Sequence, residues 1–211
     1  GIRDVAPSRV LGDVYKRQFL SYPIFRKIYG VIQKINQLIH SGFHGVRFAN
    51  VGKSFRLTPP IKFINGHKYI SIGNNVYFHP GLRMEAICIN TLPRIIIHNN
   101  VSVGYNCQIN SCQMIEIMDG CLFGSNVFIT DHYHGIGTLQ ESKIPPCNRV
   151  LYSKGPVIIG ENVWIGQNVS IMPNVTIGKG CIIGANSVVT HSFPPNCVIA
   201  GVPAKIVRQL S

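Results

Sequence analysis

From Ile159 onward the chain is written in units of six. Ile159-Gly-Glu-Asn-Val-Trp164, Ile165-Gly-Gln-Asn-Val-Ser170, Ile171-Met-Pro-Asn-Val-Thr176, Ile177-Gly-Lys-Gly-Cys-Ile182, Ile183-Gly-Ala-Asn-Ser-Val188 and Val189-Thr-His-Ser-Phe-Pro194 follow one another without a slip. An aliphatic residue opens every unit, a mostly small or β-branched residue sits four later, and Gly or another small residue commonly follows the aliphatic. Self-similarity at a fixed period takes precedence over local propensity. Six fits neither the helical period of 3.6 nor the strand period of 2. It fits a short strand plus a corner, repeated, with three units closing one triangular coil of about 18 residues. Successive coils then pair as parallel strands about 4.8 Å apart. The opening aliphatic points inward and stacks on its equivalents, each burial contributing about 1.5–3 kcal/mol. Gly and Asn relieve the corner backbone.

The same phase recurs earlier, as Ile72, Phe78 and Met84, as Ile97, Val103 and Ile109, and, after a two-residue slip, as Ile117, Phe123 and Ile129. The repeat predicts an all-β solenoid over 61–198, interrupted at about 135–156. That interruption is polar and contains Pro145-Pro146, so it reads as a loop thrown out of the scaffold, where function concentrates. Residues 1–18 lack clean periodicity and read as a leader or disordered terminus. Residues 19–40 carry Ile24, Ile28, Val31, Ile35, Leu38 and Ile39 at helical steps, with Gly42 as the expected stop. The divisions are therefore 1–18, a helix and connection over 19–60, the solenoid over 61–198 and a tail over 199–211.

A chain of 211 residues that is 45% hydrophobic and 13% charged suits one domain and excludes a disordered tail protein. Seven cysteines without a C-x-x-C pair read as reduced, mostly buried thiols. No run of 18 apolar residues predicts a membrane span. The formal charge of +12 attracts polyanions. Residues 1–50 hold eight basic and two acidic residues. The helix there either packs on the main domain or rests its basic face on anionic lipid. A polyanion-binding scaffold is a further reading of the charge, but the chain lacks an aromatic-basic stacking motif and no nucleic-acid partner is expected.

These hexads resemble the hexapeptide-repeat acyltransferases, whose fold is a left-handed parallel β-helix; the resemblance implies that hand and covers about two-thirds of the chain. The run Pro194-Pro-Asn-Cys-Val-Ile-Ala-Gly-Val-Pro-Ala-Lys-Ile-Val-Arg208 is similar to the ending of the galactoside and maltose O-acetyltransferase branch. Ile129-Thr-Asp-His-Tyr-His-Gly135 is similar to the catalytic stretch of bacterial O-acetyltransferases acting on polysaccharide sugars. The fold expected is thus a left-handed parallel β-helix with an N-terminal helix and one extended loop. The resemblance implies acetyl-CoA as co-substrate, a sugar or oligosaccharide acceptor in surface polysaccharide or its precursor, and a homotrimer with sites between subunits; the reduced thiols point to a cytoplasmic location, and the basic helix to peripheral contact with the inner membrane face.

Acetyl transfer from a thioester to a hydroxyl needs a base for the departing proton, for which imidazole is the usual side chain near neutrality. It also needs a donor for the oxyanion. Two histidines compete. The branch pattern, counted from Ile129, points to His134; His132 is the alternative, and Asp131 either orients an imidazole, as carboxylates do in hydrolase triads, or makes an ordinary corner turn. Spacing of two puts His132 and His134 on one strand face, so a metal pair, with His98 or a residue of a neighbouring subunit as third ligand, is a competing arrangement; a γ-carbonic-anhydrase-like enzyme would hold three histidines across a subunit interface, and no metal is expected in the leading reading. The branch uses an Asn for acceptor binding where this chain has Gly104, which leaves Tyr105, Asn106 and Asn110 as candidates. Position-by-position matching implies Gly166, Gln167, Ala185 and Thr190 along the pantetheine groove, Trp164 as a wall, and Lys205 and Arg208 facing the phosphates. Outward aromatics such as Trp164 and Phe128 fit burial against a neighbouring subunit. N-acylation of an amino sugar nucleotide is the alternative reaction on the same fold.

Overall fold

The computed structural model describes residues 23–89, 92 and 94–210. The segment 1–18 and the first residues of the anticipated helix, 19–22, lie outside the described residues. Among those described, parallel rungs stack into three sheets, one per face of a prism. The first face stacks Asn50–Val51, Ile70–Ile72, Arg94–Ile97, Met114–Ile117, Val157–Ile159 and Thr176–Ile177. The second runs from Arg56–Leu57 through Tyr77–Phe78, Ser102–Val103, Leu122–Phe123, Trp164–Ile165 and Ile182–Ile183 to Cys197–Gly201. The third stacks Phe63–Asn65, Arg83–Ala86, Gln108–Ser111, Phe128–Thr130, Ser170–Ile171 and Val188–Val189.

The register is the one the hexads demand. Ile72 pairs with Ile97, Ile97 with Ile117, Ile117 with Ile159 and Ile159 with Ile177 down the first face. Met84, Ile109, Ile129, Ile171 and Val189 form the equivalent column on the third. All of these side chains are buried in one continuous core. The fifth position of each unit fills the remaining interior with Val163, Val169 and Val175 and with Cys107, Cys121, Cys181 and Cys197. Burial pushes the Cys107 and Cys121 thiols up to about 11, so these are packing groups rather than nucleophiles. Cys88 and Cys147 are exposed.

Corners explain the Asn and Gly positions. Asn126, Asn168 and Asn186 all have φ between 57° and 61°, on the left-handed side, where Asn is tolerated better than most residues. Their amides form a ladder, Asn126 Nδ2 donating to Asn168 Oδ1 and Asn168 Nδ2 to Asn186 Oδ1, both at 3.0 Å.

Three features differ from the sequence reading. The solenoid begins before residue 61: Asn50–Val51 and Arg56–Leu57 are its first rungs, hidden in sequence because this coil lacks the regular hexad and carries Pro59-Pro60. The helix α1 spans Pro23–Gly45 and runs through Gly42, because its last turn is pinned to the solenoid on either side of Gly42, by Ser41 and His44. The tail, given no element in the sequence reading, is a strand: Ala204–Gln209 folds back antiparallel on Cys197–Gly201 and extends the second face.

Candidate active site

Departures from the six-residue step gather on one edge. On the way from the second face to the third, Phe78 to Met84, Val103 to Ile109, Phe123 to Ile129 and Ile165 to Ile171 all keep six. From the third face to the first, Met84 to Ile97, Ile109 to Ile117 and Ile129 to Ile159 all exceed it. The extra residues at 111–113 wrap a single side chain. The carboxylate of Asp131 is fully buried, and its Oδ2 accepts from Ser111 Oγ at 2.7 Å, Gln113 N at 2.9 Å and Met114 N at 2.8 Å. Oδ1 accepts from Cys112 N at 2.8 Å and from His132 Nδ1 at 3.0 Å. Burial pulls this carboxyl's pKa upward, but the bonds from His132, Cys112, Ser111 and Gln113 outweigh it and hold the pKa below the usual value. Asp131 is therefore an anion at neutral pH, and the proton of the His132 ring sits on Nδ1.

His132 is buried, with Thr130 Oγ1 3.3 Å from the same Nδ1. Two residues on, the chain leaves the prism. Tyr133–His134 pairs antiparallel with Leu151–Tyr152, closing the neck of the loop. Glu141 Oε2 accepts from Ile136 N and Gly137 N, both at 2.8 Å, and fixes the loop's first turn. His134 is exposed on this neck and lines an open cleft of about 240 Å³ with Tyr133, Gly135, Tyr152 and Lys154. Lys154 Nζ lies 5.5 Å from the Tyr133 ring centre. The sequence reading missed the Ser111–Met114 cradle and the Tyr133, Tyr152 and Lys154 walls; the two-residue slip between Ile109 and Ile117 was the signal for the first.

Among the described residues Cys112, Asp131 and His132 bring potential metal ligands within 4.8 Å of one another. The donor set is a poor one. Burial, then Asp131, pushes the Cys112 thiol up to about 12, and the carboxylate already accepts five hydrogen bonds. His98 is elsewhere, 2.9 Å from Glu116 on the first face, and does not join His132.

Of the acceptor candidates, Asn110 lies on the rung beneath Thr130, its buried Oδ1 without a hydrogen-bond partner among the described residues. Asn106 is a left-handed corner residue packed over Gly81. Tyr105 is exposed on that corner, its ring 4.7 Å from His79. The coenzyme candidates occupy other places. Gly166, Gln167 and Ala185 follow the second face, on the opposite edge of the third face from Asp131. A Cβ on Gly166 would lie 2.7 Å from Ala185 N, so the coil above already demands Gly there. Trp164 projects half-exposed from the second face. Thr190 ends the last rung of the third face, on the edge shared with Asp131. Lys205 and Arg208 are exposed on the terminal strand. Within the chain the imidazoles and the Gly166–Gln167–Ala185 corner are thus separated by a full face.

Comparison with known proteins agrees with this architecture. Residues 156–191 match the family model described as bacterial transferase hexapeptide (six repeats). The chain is 40% identical over 151 residues, 70% of its length and 75% of the relative's, to the Escherichia coli (strain K12) protein WbbJ, whose name assigns it to O-acetyl transfer in lipopolysaccharide biosynthesis. A solved galactoside acetyltransferase in complex with coenzyme A superposes with a TM-score of 0.53 at 29% identity, covering 81% of this chain and 70% of that one. AntD, an N-acyltransferase from Bacillus cereus solved in complex with dTDP and 3-hydroxybutyryl-CoA, gives a TM-score of 0.68 at 22% identity over 82% of this chain and 88% of that one; at that identity the likeness is one of fold.

Proposed function

The chain belongs to the hexapeptide-repeat transferase family, and on that premise we propose that it is an acetyl-CoA-dependent O-acetyltransferase acting on a sugar hydroxyl of bacterial surface polysaccharide or its precursor, with His134 as general base. The observation that carries the choice of base is access. An acceptor hydroxyl must come within hydrogen-bond reach of the base; His134 lines the open cleft at the loop neck, whereas His132 is buried.

The chemistry balances with few parts. As the sugar oxygen attacks the thioester carbonyl, its proton passes to the His134 imidazole. The tetrahedral intermediate collapses, the carbon–sulfur bond breaks, and the imidazolium returns the proton to the leaving thiolate. The products are an acetyl ester and the free thiol of coenzyme A, with no covalent enzyme intermediate. Asp131 and His132 are positioning residues: the anion gathers the 111–114 turn and the His132 ring, and so fixes the strand from which His134 projects. The face between the imidazoles and the Gly166–Gln167–Ala185 corner is bridged by assembly: a neighbouring subunit's corner meets this subunit's loop neck, in a trimer. A donor made in the cytoplasm puts the enzyme there.

A thiol-release assay with acetyl-CoA and a panel of free, nucleotide-linked and polyprenyl-linked sugars tests the proposal. His134→Ala is expected to lower kcat by about 10²–10⁴-fold, the range for a lost general base. His132→Ala is expected to lower kcat less. The reverse pattern moves the base to His132. Mild alkali should release the product's acetyl group; an alkali-stable acetyl identifies an amine acceptor instead.

A further inference from the structure

An amphipathic helix on a globular domain normally turns its apolar stripe to the core. Helix α1 does the opposite. The side facing the solenoid is polar: Gln37 Nε2 donates to Thr58 Oγ1 at 2.6 Å, Ser41 Oγ accepts from Leu57 N at 2.9 Å, and His44 Nδ1 lies 2.9 Å from His67 Nε2. These positions recur at steps of three and four, so they form one stripe. The opposite stripe carries Ile28, Ile32, Ile35, Leu38 and Ile39, all exposed, Leu38 and Ile39 at 71% and 61%. Lys27 and Lys34, seven apart, border that stripe, each one turn before Val31 or Leu38. Charge is equally one-sided: no Asp or Glu occurs anywhere between Asp13 and Glu85.

We propose that α1 lies flat on an anionic bilayer, its isoleucine stripe sunk at the headgroup–acyl boundary and Lys27 and Lys34 reaching the lipid phosphates. Apolar burial supplies the attraction and lysine stems lie along the apolar surface with their heads in the phosphate layer. The helix lies on the membrane rather than through it, since no helix of the described residues is long and apolar enough to cross. Charge selects the occupant. Packing α1 against α1 of a second copy by this stripe places Lys27 and Lys34 along the seam with no acidic residue on either side to answer them, whereas anionic lipid complements them. The polar latch at Gln37, Ser41 and His44 holds the helix to the solenoid while its apolar side stays available.

Co-flotation of the full chain with vesicles tests this directly. Vesicles of phosphatidylcholine with about 30% phosphatidylglycerol should carry the protein, and pure phosphatidylcholine vesicles should carry at least about tenfold less, as anionic-surface attraction requires. Ile35→Ser with Ile39→Ser should cut flotation by at least about tenfold, and Lys27→Glu with Lys34→Glu should remove its dependence on anionic lipid. Acetyl transfer to a water-soluble acceptor should be unchanged in all of these variants, so failure of lipid binding and failure of the proposed chemistry are read separately. Equal flotation of the Ile35→Ser/Ile39→Ser protein overturns the proposal, and so does absence of flotation on anionic vesicles. A wild-type assembly that splits into smaller species on the same double substitution also overturns it, by showing that copies of the chain cover the stripe themselves.

Discussion

Two edges of the same prism obey different rules. Where the second face turns into the third, each coil from Phe78 onward uses the same six-residue step, and polar corner groups are answered by the identical group one coil away, as Asn126, Asn168 and Asn186 do. Where the third face turns into the first, the step varies, and the polar groups are answered by a unique side chain, Asp131. Repetition satisfies the backbone generically, so it builds a scaffold that has no singular point. A singular point needs an exception, and the exception here is a buried anion that gathers the N–H groups of 112–114 and an imidazole just before the chain departs into its loop. The edge that breaks the repeat is the edge that carries the histidines.

That contrast can be broken experimentally. The largest effect expected is kinetic: His134→Ala, on the exceptional edge, lowers kcat by about 10²–10⁴-fold with an unchanged melting temperature. Asp131→Ala is next. It strands buried N–H groups and a ring that shared one anion, which costs about 3–5 kcal/mol of stability, read by urea denaturation. Because the Asp131 pKa is held below the usual carboxylate value, its stabilisation is complete above that usual value and is lost as the pH falls through the lowered one; acid titration of wild type against Asp131→Ala measures it. Ile165→Ala, in the repetitive core, removes a fully buried side chain and costs about 2–5 kcal/mol, while activity per folded molecule stays within about twofold of wild type. A similar kcat loss in Ile165→Ala and His134→Ala erases the distinction between the edges.

The smallest effect concerns the helix latch. Burial, then the neighbouring His67, His40 and Arg47, lower the His44 pKa from 6.5 to about 4. The folded protein thus resists a proton that the released helix accepts, so docking of α1 weakens as the pH falls from about 6.5 toward about 4. Leu57 N–H, which donates to Ser41 Oγ, should lose protection from amide exchange between pH 7 and pH 5 by more than intrinsic exchange explains. Unchanged protection removes His44 from the latch.

The ladder was legible in the sequence because each rung repeats its neighbour: the columns through Ile97, Ile117, Ile159 and Ile177 could be aligned by counting. The first coil was not, because at Asn50–Val51 and Arg56–Leu57 the unit is degenerate and only packing on the next coil makes it a rung. The histidine pair and Asp131 stood out as chemistry next to a loop. Their inequality did not: nothing in the string His132-Tyr133-His134 says that one ring is buried against a carboxylate and the other exposed on a hairpin. The polar side of α1 gave a similar surprise, since periodicity reveals that a helix has two faces and not which one its own domain takes.

The central claim is that this loop neck, completed by a neighbouring subunit, presents His134 to the thioester. A structure of the assembled enzyme with coenzyme A bound measures it in one distance. The account predicts the coenzyme sulfur within about 4 Å of the His134 ring, the reach of a proton transfer, with the pantetheine arm running past a neighbour's Gly166 and Gln167. A sulfur seated against His132, or far from both rings, contradicts it.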